Sequence, residues 1–181
     1  SAASLAALLA MRNLWVHDQL LNAQADHLHS QLLAEAVLPA AVQDILDASA
    51  TTPLLSETPP NLRHTEGSPE QTHAFYPDSM AAYALLRQRL GTRGCLDGIC
   101  APLSPNTGAQ ASDWTAQTST AMPFSAARCP DGTQAAWYWV EVFPEETTHT
   151  FVYRITVLSN GVLPGSTTVL QGIWTRDTPT S

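Results

Sequence analysis

The three cysteines are the residues of this chain with the clearest capacity for chemistry. Cys95 and Cys100 flank an Asp-Gly pair, which is a turn signal, so a short loop closed by a disulfide is geometrically reasonable. Such a bond would indicate an oxidising compartment. Two alternatives stay open, namely pairing of Cys100 with Cys129 and three reduced, buried thiols in a cytosolic protein. A zinc site is disfavoured because the sequence has no C-x2-C pair.

The other candidates for catalytic or metal chemistry are weaker. His27 and His29 stand two positions apart in a helical pattern, so their side chains do not face one another and cannot share a metal ion. Asp44 and Asp47 share a helical face, but nothing predicts the opposed environments that a carboxylate pair needs for acid-base work. Ser125 lacks the flanking glycines of a nucleophile elbow. We therefore predict no catalytic residue, no metal site and no cofactor.

Composition limits the classes of partner. The 181 residues carry a formal net charge of -8, only 13% of them are charged, and all eight basic residues are arginine. Because the arginines are scattered singly, the chain has no basic patch for binding nucleic acid or an anionic membrane through charge. This length suits a single domain, and sparse ions with abundant Ser, Thr and Ala suit a secreted or assembled protein.

The element that must position most of these residues is a long helix over residues 4–48, which contain no glycine and one proline. Apolar residues recur in it at helical steps, and we expect this row to pack on the rest of the protein. The row consists of Leu14, Leu21, Ala25, Leu28, Leu32 and Ala36. A second row continues from Leu33 through Val37, Ala41 and Ile45. Pro39 predicts a kink or a break near Leu38.

The start of this helix predicts a projecting stub. Forty-five helical residues extend about 67 Å, so part of the helix must lie beyond the body of a domain this small. The first apolar run ends at Arg12, which is too short to span a bilayer. We expect a processed or truncated chain in which Leu5, Leu8 and Leu9 face a membrane or a filament. Replacing Leu8 or Leu9 by Asp should then leave the melting temperature of the domain unchanged. Replacing Leu28 or Leu32 by Asp should unfold the domain.

The rest of the chain predicts a loop-rich region over residues 49–130 and an antiparallel sheet over residues 131–181. Within the first region, a short helix should begin after Asp78 or Ser79 and end at Gly91. Within the second, three β-branched and aromatic runs joined by short connections predict a meander. These runs cover residues 134–143, 148–158 and 167–175.

These elements predict an α+β fold in which the long helix covers one face of the sheet. The first strand run is apolar on both sides, with Trp137 and Trp139 on one side and Tyr138 and Val140 on the other. The second face of the sheet must therefore be covered, either by the loop-rich middle or by another subunit.

This layout resembles that of type IV pilins and pseudopilins, and several short motifs resemble those of PilX-type minor pilins. The motifs occur in the order of that family along the helix, the cysteine loop and the last 50 residues. They are Ala34-Glu35-Ala36, Gly98-Ile99-Cys100 followed by Trp114, Trp139-Val140-Glu141, Tyr153-Arg154-Ile155-Thr156, Gly161, and Val169-Leu170-Gln171.

The resemblance implies a single pilin-like domain over residues 1–181 without catalytic activity. It implies a role in a minor-pilin complex that primes type IV pilus assembly or occupies the pilus tip, with effects on twitching motility, adhesion or DNA uptake. The partners would be other minor pilins, the major pilin and, before assembly, the inner membrane. The location would be the inner membrane and periplasm, then the cell-surface pilus. Two alternatives remain: a minor pseudopilin of a type II secretion system, and a secreted adhesion or ligand-binding module.

Overall fold

The computed structural model describes residues 2–48, 62–65, 72–101, 111–129, 132–145 and 150–176. The helices are α1 (Ala2–Leu46), α2 (Met80–Leu90) and α3 (Ala111–Ala116), with a 3-10 turn at Thr118–Thr120. The strands are β1 (Arg63–Thr65), β2 (Thr72–Ala74), β3 (Cys95–Leu96), β4 (Ile99–Cys100), β5 (Met122–Pro123), β6 (Ala136–Pro144), β7 (Phe151–Asn160) and β8 (Thr167–Arg176).

The long helix forms as predicted, but it does not break at proline. Helix α1 is continuous through Pro39, which occupies an exposed position. Proline removes one helical hydrogen bond, and at an exposed position water can hydrate the carbonyl that loses its donor. The break predicted near Leu38 is therefore wrong, whereas the alternative of a kink there stays a prediction.

The meander also forms as predicted, within a larger mixed sheet. Strands β6, β7 and β8 are consecutive antiparallel neighbours, and the order across the sheet is β3-β4-β6-β7-β8, with β5 beside β6. The pairing of β4 with β6 is parallel, whereas β5 pairs antiparallel with the same edge of β6. Sequence patterns did not predict these two-residue strands, because such short strands carry no measurable periodicity.

The region predicted as loop contains more structure than expected. Strands β1 and β2 form an antiparallel pair inside it. Helix α2 matches the prediction: the Ser79 hydroxyl accepts a hydrogen bond from the Ala82 amide at the N-terminus, and Gly91 ends the helix with a positive φ of 55°. Most of the proline-rich stretch over residues 49–71 and residues 102–110 lie outside the described residues.

The main core lies between α1 and one face of the sheet. Helix α1 contacts β6, β7 and β8. The largest wholly buried side chains on this side include Tyr153, Ile155 and Val140 from the strands and Ile45 from the helix. The predicted α+β arrangement, a long helix packed on an antiparallel meander, is confirmed and is consistent with a pilin-like fold.

Candidate functional site

The C-terminal half of α1 packs on the sheet through a narrow row of small and β-branched side chains. Each member of this row is wholly buried, and the members follow one another at steps of four, three, four and four. We call it the inner row: Ser30, Ala34, Val37, Ala41 and Ile45. It contains Val37, Ala41 and Ile45 of the second row in the sequence pattern, whereas Leu33, the first residue of that row, is only partly buried. Three of its five members, Ser30, Ala34 and Ala41, have small side chains, and Ile45 is the largest of the five.

The row that was predicted to pack on the sheet faces outward instead. Leu21, Leu28 and Leu32 are 60%, 52% and 64% exposed, and Ala25 and Ala36 are exposed as well. At about 100° per residue, these five side chains lie on the side of the helix opposite the inner row. The prediction was wrong because periodicity identifies the members of a row, whereas the tertiary contacts decide which row is inside.

This outward row has the spacing of a helix-pairing seam. Steps of four, three and four join Leu21, Ala25, Leu28 and Leu32, which is the alternation of a coiled-coil heptad. Continued toward the N-terminus, the same heptad passes through the exposed Asp18 and then Leu14 before it reaches Met11, which is 69% exposed. We call the apolar members of this heptad the outer seam: Met11, Leu21, Ala25, Leu28 and Leu32. Its apolar side chains can be buried only by another molecule or by a part of the chain outside the described residues.

In the N-terminal half of α1, none of the described side chains contributes to the core. Every described side chain over residues 11–25 is exposed, including Trp15 at 63% and Leu20 at 62%. The predicted stub residues Leu5, Leu8 and Leu9 lie in the helix, but their side chains are outside the described part. Among the described residues, no helix combines the length and the hydropathy needed to cross a membrane.

A buried carboxylate marks the point where α1 first touches the body. Asp26 accepts hydrogen bonds from the backbone amides of Val162 and Leu163 at 2.7 and 3.0 Å, in the connection between β7 and β8. Burial raises the pKa of Asp26, but the neighbouring Ser166 hydroxyl and the two amides more than compensate, so the pKa lies below its usual value. Asp26 therefore holds the helix to this connection as a charged group.

Gly161 is required at this junction. A Cβ atom at this position would collide with the Asp26 carboxylate and the Ser166 hydroxyl. One turn further along α1, the Ser159 hydroxyl donates to the Ser30 carbonyl at 2.6 Å, and the Ser30 and Thr168 hydroxyl oxygens are 2.7 Å apart. These polar contacts were not predictable, because their partners are more than 120 residues away in the sequence.

A second polar cluster anchors the other end of α1. Asp44 forms a bidentate ion pair with Arg63 at 2.9 and 2.7 Å, and Asp44 Oδ2 also accepts hydrogen bonds from the Tyr76 and Tyr138 hydroxyls at 3.1 Å each. Arg63 Nε donates in addition to the Asp97 carbonyl at 2.7 Å. The cluster therefore joins α1, β1, β6 and the cysteine hairpin.

The electrostatics of this cluster favour the charged pair. Burial lowers the pKa of the Arg63 guanidinium, but the bonds to Asp44 outweigh this effect and raise the pKa above its ordinary value. Burial and then the negative charge of Asp44 raise the pKa values of Tyr76 and Tyr138. Both phenols thus stay protonated and act as donors. Asp44, which the sequence offered as half of a carboxylate pair, is an ion-pair partner that fixes the end of the helix.

The predicted disulfide is confirmed. Cys95 and Cys100 are bonded across the β3–β4 hairpin, and Cys129 is in no disulfide. Asp97 and Gly98 have positive φ angles of 50° and 76°, as a two-residue type I′ turn requires. A Cβ at Gly98 would lie 2.7 Å from Met122 Cβ, so glycine is also needed for close packing on β5. The hairpin is thereby fixed against the sheet.

The loop-rich middle covers part of the second face of the sheet. Trp139 is wholly buried there, and its ring centroid lies 4.8 Å from that of Trp114 in α3. Its indole N–H donates to the Thr120 hydroxyl at 3.1 Å. At Trp139, the second face of the sheet is therefore covered by the loop-rich middle and not by another subunit. Toward the other end of this face, the Arg154 guanidinium donates to the Glu141 carboxylate at 2.8 Å.

The residues with metal or nucleophilic capacity do not converge. His27 and His29 are exposed on α1. In the described part of the chain, no three His, Cys, Asp or Glu side chains lie close enough together to hold a metal ion. Cys129 lines an open cleft of about 450 Å³ beneath the β7–β8 connection, together with Gln134, Thr133 and residues 160–167, and none of these is a histidine or a carboxylate.

Comparison with known proteins adds no family to these observations. No protein-family model, no curated protein and no solved structure matches the chain. The geometry of α1 and the motifs of the sequence are therefore the observations that bear on function.

Proposed function

We propose that this chain is a non-catalytic minor pilin that joins other minor pilins and the major pilin through α1 during type IV pilus assembly. The observation that carries the proposal is the outer seam, which lies opposite the inner row on one continuous helix. One side of α1 serves the fold of the subunit. The other side is available to neighbouring subunits.

The exposure of the outer seam supports a helix as the partner. Three leucines that are each more than half exposed, with steps of four and three between seam positions, form a narrow apolar strip. A strip of this width fits one or two adjacent helices, whereas a sheet or a membrane surface would need a wider apolar face. Contiguous apolar surface that a soluble protein exposes often marks a contact with another protein.

The N-terminal half of α1 supports a bundle with more than one neighbour. Trp15, Val16 and Leu20 are exposed on other sides of the helix than the outer seam. Over residues 2–25 only Arg12 and Asp18 carry a full charge at neutral pH. A helix that is apolar on several sides and almost uncharged is stable when other apolar helices surround it. In the pilin family, this segment enters the inner membrane before assembly and the helical core of the filament afterwards.

The body supports a location outside the cytoplasm. The Cys95–Cys100 disulfide holds a hairpin to the sheet, and structural disulfides persist in oxidising compartments. A periplasmic and then cell-surface subunit meets this condition. The proposed location is therefore the inner membrane and periplasm, followed by the pilus.

The test is incorporation of outer-seam variants into pili. Leu32→Glu and Leu21→Glu should fold normally but reduce the amount of this chain in sheared pili, and the amount of other pilins that copurify with it, at least tenfold. Gln24→Glu is the matched control, because it places the same charge at an exposed position of the same helix. Variants that fold and assemble like the wild type would refute the proposal. Copurification with type II secretion pseudopilins instead of pilins would assign the chain to that system.

A further inference from the structure

The outer edge of β8 has no partner strand in the described part of the chain. Strand β8 ends the sheet order and pairs only with β7, along all ten of its residues. An edge strand of this length presents a row of unpaired amide and carbonyl groups, which can pair with a strand of another molecule.

The register identifies the groups that point outward. The Gly161 amide donates to the Ser166 carbonyl at 2.7 Å, which makes this the first hydrogen-bonded pair of the β7–β8 hairpin. Hydrogen-bonded and non-hydrogen-bonded pairs alternate along an antiparallel ladder. Every second residue of β8 from Thr168 onward is therefore bonded to β7, and the backbone groups of the others face away from the sheet. The outward residues are Thr167, Val169, Gln171, Ile173 and Thr175.

The edge lacks the devices that usually prevent pairing. Natural edge strands carry lysine, inward charges, proline or a bulge. Over residues 167–175 the sequence has no charge and no proline, and the register with β7 is unbroken. Ile173, in the second half of this strand, is 75% exposed, which is the largest exposure among the large apolar side chains of the described residues.

The outward residues are complementary to themselves. If β8 meets a second β8 in the antiparallel direction with Gln171 opposite Gln171, then Val169 lies opposite Ile173 and Thr167 lies opposite Thr175. Apolar and β-branched side chains are thereby matched across the strands, on the face of the sheet away from α1. Five facing residue pairs can exchange about ten backbone hydrogen bonds. We propose that β8 is the contact of a two-fold symmetric pair of this chain, centred on Gln171.

The symmetry of this pair sets it apart from a pilus. The two-fold axis is perpendicular to the joined sheet, so both α1 helices lie on the same face. Helix α1 runs in the same direction as β8, since Ser30 lies beside Thr168 and Leu38 lies beside Gly172. The axis therefore makes the two helices antiparallel. The pair is a state of the free subunit, and it does not depend on the proposed function of the outer seam.

Site-directed cross-linking tests the register. In a Cys129→Ser background, which removes the thiol that is in no disulfide, Gln171→Cys should form a disulfide-linked dimer under mild oxidation. Thr175→Cys is the matched control, because residue 175 faces residue 167 of the second copy and the two introduced thiols would be about 27 Å apart. Equal cross-linking at both positions, or none at position 171, would overturn the proposal.

Sedimentation equilibrium tests the edge itself. The wild-type chain should show a reversible monomer–dimer equilibrium, and Ile173→Val should preserve it. Ile173→Pro removes an outward amide while leaving the β7 ladder in place, so it should raise the dimer dissociation constant at least tenfold with unchanged circular dichroism. Leu28→Glu should not affect this equilibrium, which separates strand pairing from contacts of the outer seam. A wild-type monomer at all concentrations, or a dimer that Ile173→Pro does not weaken, would contradict the proposal.

Discussion

Residues 2–25 and residues 26–46 are two halves of one uninterrupted helix, but their described side chains have different surroundings. In the second half, every third or fourth side chain is wholly buried against the sheet. In the first half, every described side chain is exposed. The outer seam runs through both halves, from Met11 to Leu32. The helix thus combines a part that completes the fold of one subunit with an apolar surface that the described part of the chain leaves uncovered.

The largest expected effect is loss of a buried side chain in the second half. Ile45 is wholly buried, and Ile45→Ala should lower the free energy of unfolding by about 2–5 kcal/mol through lost burial and a residual cavity. The neighbouring Leu46 is 49% exposed, and Leu46→Ala is the matched control with an expected change of about 0.5 kcal/mol or less. Urea unfolding followed by tryptophan fluorescence measures both. Equal losses would contradict the assignment of the two faces.

The choice between the two faces was beyond what the sequence could predict. Both rows in α1 have helical spacing, and the row with more leucine is the more hydrophobic one. Hydrophobicity therefore favoured the outer seam as the buried side. The inner row is buried because its small side chains fit close to β7 and β8, and because Ser30 finds hydrogen-bond partners on both strands. Such partners are known only when the tertiary structure is known.

Other parts of the fold were more predictable because their signals are local. The Asp-Gly turn indicated the Cys95–Cys100 hairpin, and a capping serine with a terminal glycine marked α2. The meander followed from β-branched runs and short connections. The Asp44–Arg63 ion pair and the parallel pairing of β4 with β6 were not predictable, because each joins segments that are distant in sequence.

An intermediate effect is expected at the junction between the two halves. Asp26 has a lowered pKa in the folded protein, so its charged form stabilises the fold above the pKa of the unfolded chain, near 4. This contribution is lost as the pH falls through the lower pKa of the folded state. Asp26→Asn should therefore be less stable than the wild type at pH 7. The difference should stay constant down to about pH 5 and shrink below about pH 4.

Thermal melts of both proteins between pH 7 and pH 2.5 measure this dependence. Asp18→Asn is the control, because Asp18 lies at an exposed position in the first half of α1. A stability difference for Asp26→Asn that does not change with pH would mean that the carboxylate charge is not what holds the β7–β8 connection.

The smallest expected effect on stability is at the centre of the outer seam. Leu28 is 52% exposed and lies opposite the inner row, so Leu28→Asp should change the free energy of unfolding by about 0.5 kcal/mol or less. The sequence alone led to the opposite expectation, that this substitution unfolds the domain. Because Asp cannot be buried in an apolar helix contact without a large cost, the same variant should also lose the proposed association with other pilins. Chemical denaturation and copurification, measured on one preparation, separate the two properties. If the variant unfolds, Leu28 belongs to the core. If the variant folds and still associates, the outer seam is not the interface.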